Sequence, residues 1–201
     1  MEPLLTALAS HLAAQSWAEL IAVLLALAYV WLAARQNIWC WPAALLSTGI
    51  YTWLFWAVSL PFHTVLNAYY LLMAVYGWLQ WRKPDNEQGI TSWPLHCHLR
   101  WLAILALSSL ALSQFATMVL DAQHLYLDAF ITVFSVFTTV LVAHKVLENW
   151  LYWMVINSFA SYLYFMKDMH LTGLLFLGYL GFALYGYVSW KKPLKLQSDL
   201  L

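Results

Sequence analysis

Asp128, Thr132, Ser135 and Thr139 follow one another at steps of four, three and four residues, which puts a carboxyl and three hydroxyls on one stripe of a helix. Trp153, Asn157, Ser161 and Tyr164 form a second stripe of the same kind. Asn67 and Tyr70 share a face, Tyr179 lies 109 residues beyond Tyr70, and Trp41, Thr48 and Tyr51 occupy one side of a further segment. Such groups recognise a molecule rather than react with it. Aromatic faces stack flat rings and attract cationic ones. Amides and hydroxyls donate and accept hydrogen bonds. Asp128 adds a negative charge. The hydroxyls have a plainer use too, since Ser and Thr bond the carbonyl one turn back. Asn157 could equally bridge two helices. An enzyme is disfavoured, because no nucleophile–base pair, paired acids, GxSxG or HExxH appears. No cofactor motif is present, and neither the histidines nor Cys40 and Cys97 show a metal-ligand spacing. Lys145 and Glu148, three residues apart between two apolar segments, read as a gate or an interfacial ion pair.

The elements that hold these residues are membrane helices. Hydrophobic types make up 64% of the 201 residues and charged types 9%, against roughly 25% in a soluble domain. So few charges cannot cover a water-facing surface, so the lipid bilayer is the partner. The 13 Trp and 12 Tyr suit the membrane interfaces. Zero net charge gives no basic patch for nucleic acid. Seven segments reach the roughly 20 residues that a bilayer requires: 17–34, 38–60, 61–81, 102–120, 125–143, 150–166 and 171–190. The prediction is an all-α polytopic membrane protein with seven transmembrane helices. Residues 1–16 read as a surface segment, 82–100 as a solvated loop, and 193–201 as a tail. The start shows no signal-peptide pattern, so the first span must direct insertion. Arg35, Arg82, Lys83, Arg100, Lys145, Lys191, Lys192 and Lys195 fall on one side and Lys167 alone on the other, which makes the C-terminus cytoplasmic.

The chain resembles itself. The run from Tyr76 to Pro84 (YGWLQWRKP) returns 109 residues later, from Tyr185 to Pro193 (YGYVSWKKP), with Tyr187 where Trp78 would map. Asn37 and Trp41 are four apart, as are Asn149 and Trp153 at an offset of 112. These echoes predict a 3+1+3 parallel repeat: residues 17–83, a loop and linker helix over 84–120, and 121–192.

Several motifs resemble a known family. They are Asn37-Ile38-Trp39-Cys40-Trp41-Pro42, Asn67-Ala68-Tyr69-Tyr70, the run from Tyr76 to Trp81, and Asp128 with Lys145 to Trp153 and then Asn157. Over about residues 20–192 the chain resembles the PnuC family of bacterial vitamin transporters. The resemblance implies a SWEET-like fold, a homotrimer, and facilitated diffusion of nicotinamide riboside, thiamine or a related vitamin across the inner membrane. A cytoplasmic kinase would trap the product. It also implies that the paired tryptophans Trp78/Trp81 and Trp150/Trp153 belong to the substrate region. On this reading Asp128 attracts a cation. Trp41, Tyr70, Trp150 and Trp153 stack its ring, with Tyr179 the repeat mate of Tyr70. Asn67, Thr132, Ser135 and Asn157 bond its polar groups. The run from Tyr126 to Phe130 and the short link before it look more like the thiamine branch than the nicotinamide riboside branch. A vitamin-binding subunit of a larger transport complex is the alternative outside the uniporter class.

Overall fold

The computed structural model describes residues 17–57, 61–83, 89–119, 124–166 and 170–198. Among them run seven helices: α1 (Trp17–Ala34), α2 (Cys40–Ala57), α3 (Pro61–Arg82), α4 (Leu95–Val119), α5 (Leu125–Ala143), α6 (Asn149–Met166) and α7 (His170–Ser198). Within the described residues, α1, α4, α5 and the stretch Thr172–Lys195 of α7 are long and apolar enough to cross a bilayer. The remaining three are at least 18 residues long but carry more Trp, Tyr and Asn, which dilute their hydropathy. This is a multi-pass α-helical membrane protein. Helices are the spanning element because each satisfies its own backbone polar groups in lipid.

The chain divides into two compact units, one up to Leu79 and one from Gln80 onward. In the first, α1 packs on α2, and Ser47 donates its hydroxyl to the Ala22 carbonyl at 2.8 Å. In the second, α4 packs on α5, α5 on α6 and α6 on α7. Its core joins Leu105, Phe134, Phe137, Leu141, Val146, Tyr152 and Ile156.

Helices α1 and α5 end in the same way. Gln36 (φ 56°) and Lys145 (φ 52°) both take the left-handed conformation. Asn37 N–H bonds Leu32 C=O at 2.9 Å, and Val146 N–H bonds Leu141 C=O at 3.0 Å. Gln36 N–H bonds Ala33 C=O at 2.9 Å, and Lys145 N–H bonds Val142 C=O at 3.0 Å. This pair of bonds is the Schellman ending of a helix, normally made with glycine at the left-handed residue. Tight packing recurs as well. A Cβ on Gly77 would lie 2.3 Å from the Trp41 indole, and one on Gly186 would lie 2.6 Å from the Trp150 indole. All these equivalences stand 109 residues apart. The structural mate of Trp41 is therefore Trp150 and not Trp153, and the offset of 112 is replaced.

Two segments differ from the sequence expectation. Helix α4 begins at Leu95, inside the stretch read as a solvated loop, and residues 89–93 lie on the turn between α5 and α6. Helix α7 runs on through Pro193 to Ser198, so most of the tail is helical. Residues 1–16 lie outside the described residues.

Candidate functional site

In the second unit the polar stripe of α5 starts at Asp128 in the first helical turn. Thr132 is half-buried, and Ser135 and Thr139 are buried. Thr139 donates its hydroxyl to the Ser135 carbonyl at 2.8 Å, the back-bonding that hydroxyls adopt in apolar helices. On α6, Asn157 is buried, and Ser161 donates to the Gly173 carbonyl at 2.9 Å, tying α6 to α7. Tyr164 lies within electrostatic reach of Asp128. Its ring stacks on Phe176 with centroids 5.2 Å apart and planes 18° apart, and Phe176 meets Tyr179 edge-on at 5.7 Å. One carboxylate thus lies within electrostatic reach of the first of three aromatic rings supplied by α6 and α7.

The tryptophans are placed differently. Trp150 is buried in the notch at Gly186 and meets Trp190 edge-on at 5.4 Å. Its indole N–H has no acceptor among the described residues. Trp153 packs against the Leu105–Ile156 core. Trp81 donates its indole N–H to the Ala143 carbonyl at 3.0 Å. Lys145 and Glu148 do not form the expected ion pair. Lys145 Nζ stands 5.0 Å above the Trp81 ring. The Glu148 carboxylate accepts from Ser92 Oγ and, at 3.2 Å, from Trp93 N–H, and it lies 3.7 Å from His98 Nε2. The Schellman turn separates the two: it ends α5 at Lys145 and turns Glu148 toward residues 91–98.

In the first unit, Trp41 contacts Tyr29 at 6.0 Å, and Tyr29 lies within electrostatic reach of Tyr70. Asn67 and Tyr70 are half-buried on α3. Trp41, Leu45, Ala74, Val75, Trp78 and Leu79 line a cavity of about 270 Å³. Glu19, in the first turn of α1, lies within electrostatic reach of Tyr51, as Asp128 does of Tyr164. Glu19 and Phe176 were missed from sequence. The 109-residue register was the available signal for the first, because it sets Glu19 on Asp128.

These groups suit the binding of a molecule rather than covalent chemistry on it. Residues 16–192 match the model of the nicotinamide mononucleotide transporter family. The chain belongs to that family. It is 23% identical to the nicotinamide riboside transporter PnuC of Escherichia coli K12 over 87% of this chain and 85% of that one. The Shigella flexneri protein of the same name gives the same figures. In fold it is similar to the crystal structure of the vitamin B3 transporter PnuC, with a TM-score of 0.74, 20% identity, and coverage of 95% and 87% of the two chains. The chain is thus a PnuC-type membrane transporter and not an enzyme. The thiamine leaning has no support here. One residue it rested on, Tyr126, is exposed and receives a hydrogen bond from Gln114 at 2.9 Å, so it braces α4 against α5.

Proposed function

We propose that this transporter carries nicotinamide riboside by facilitated diffusion across the bacterial inner membrane, with the C-terminus cytoplasmic. The observation that carries the reading is the Asp128 carboxylate within electrostatic reach of Tyr164, the first ring of the Tyr164–Phe176–Tyr179 run. A flat pyridinium ring is favoured by π faces and a nearby carboxylate, and its ribose hydroxyls suit Thr132, Ser135 and Asn157. A phosphate is poorly served, because no Lys or Arg occurs between residues 101 and 144 or between 146 and 166. That argument favours the riboside over the mononucleotide for which the family is described. The relatives named for nicotinamide riboside support the same choice. The mechanism is alternating access in a 3+1+3 parallel arrangement, supported by the local geometry shared at the 109-residue offset. A cytoplasmic kinase traps the product, and the assembly is a homotrimer by family resemblance.

Thermal unfolding of the purified protein tests the substrate. A ligand bound only by the folded state raises the melting temperature by mass action. Nicotinamide riboside is expected to raise it, while nicotinamide mononucleotide and thiamine leave it unchanged. A shift from thiamine alone would return the thiamine reading, and a shift from none would remove both.

A further inference from the structure

Residues 89–93 form a strap across the turn that joins α5 to α6. Thr91 N–H bonds Lys145 C=O at 3.0 Å, and Leu147 N–H bonds Thr91 C=O at 2.8 Å, a single parallel bridge with no strand around it. Glu148 completes the attachment through Ser92 Oγ and Trp93 N–H. Behind it, His98 stands 3.7 Å from the carboxylate and places Nδ1 3.1 Å from the Tyr152 hydroxyl.

Among the described residues, no strap crosses the equivalent turn of the first unit. There Asn37 Oδ1 accepts from Trp39 N–H at 3.0 Å, the side-chain cap of a helix start. At the 109-residue offset Asn37 is replaced by Val146, which has no acceptor to offer, and Trp39 by Glu148. The Thr91 carbonyl takes the Leu147 N–H just before α6, and Glu148 holds the strap in place. The strap is fastened to the turn by two backbone bonds and one carboxylate, with Ile90 buried and Trp93 packed edge-on against Phe137. Its partner is the turn whose angle must alter if α6 moves against α5.

We infer that Glu148 is a positioning residue of the transport cycle: it latches the 89–93 strap onto the α5–α6 turn, and this latch must open for substrate to cross. The inference rests on the transporter reading above. It assigns Glu148 to strap release rather than to substrate contact.

The test uses full-length Ser92→Cys/Glu148→Cys protein carrying Cys97→Ser, reconstituted in liposomes and bridged with a short bis-methanethiosulfonate. Bridging is expected to lower nicotinamide riboside uptake at least tenfold, to keep the ligand's thermal shift, and to be reversed by reductant. Unchanged uptake in the bridged protein overturns the latch and leaves the strap a static brace. So does loss of binding together with uptake. An inactive wild type would overturn the nicotinamide riboside reading and the latch with it, and the wild-type control tells the two failures apart. Should the pair not fold, Ser92→Cys alone retains Glu148. Its labelling by a membrane-impermeant maleimide is expected to quicken several-fold when nicotinamide riboside is added, and an unchanged rate overturns the latch.

Discussion

A methyl group on Gly186 would lie 2.6 Å from the Trp150 indole, whereas one on Gly178 would meet nothing within 4 Å. Overpacking costs about 1–3 kcal/mol, while removing a helix-interior glycine gains up to about 1 kcal/mol. Gly186→Ala is therefore expected to lower the melting temperature and Gly178→Ala to hold or raise it, measured on the purified protein in one detergent. At the ligand, removing a nearby opposite charge without changing shape should weaken binding of a cation. Asp128→Asn is expected to weaken nicotinamide riboside about tenfold, roughly 1.4 kcal/mol, by titration calorimetry. Unaltered affinity would take Asp128 out of the site. Asp128 was legible in the sequence because an acid inside an apolar run has a cost that demands a reason. Phe176 was not, because one more aromatic in an apolar helix is indistinguishable from a lipid-facing side chain until its stacking on Tyr164 is seen. The packing of the Trp150 indole in a notch at Gly186 was likewise not readable, because nothing in the ENWLYW run marks which glycine it meets.

Helix existence was legible and helix ends less so. All seven helices appear within a few residues of where hydropathy set them, except that α4 starts at Leu95 instead of 102 and α7 continues to Ser198. Hydropathy marks where lipid begins, but a helix continues past that point as long as its backbone bonds can. The strap was illegible, since Pro94 and the polar residues before it read as loop, and one isolated bridge leaves no periodic pattern. The left-handed residues that end α1 and α5 were hidden as well, because neither is glycine. A left-handed non-glycine costs about 1–2 kcal/mol. Gln36→Gly is accordingly expected to stabilise the protein by about 1 kcal/mol, read as a higher melting temperature. A lower one would show that the Gln36 side chain holds contacts worth more than the strain.

For the whole molecule, a uniporter of a cation responds to voltage. Moving one charge across 100 mV is worth about 2.3 kcal/mol, and tenfold in concentration is about 1.4 kcal/mol. Liposomes held at 100 mV inside-negative are therefore expected to accumulate nicotinamide riboside about 50-fold, and collapsing the potential should release it. Accumulation without a potential would require another driving ion and would argue against simple facilitated diffusion. The self-similarity of the chain was readable from the YGxxxW ends, because bulky anchors beside basic residues stand out. Those ends also carried the 109-residue register, whereas the Asn-Trp pair aligned at 112 because Asn and Trp recur often.

That register bears on ancestry. For a chain made from two copies of one unit, a Trp filling the space of an absent side chain is hard to alter one residue at a time, since an added methyl at Gly77 falls 2.3 Å from its neighbour. Positions outside such notches carry no mutual lock: at the same register Asn67 corresponds to Phe176, and Thr48 to Asn157. A shared ancestry would thus keep the tightly packed pairs alike and leave the polar positions free to diverge.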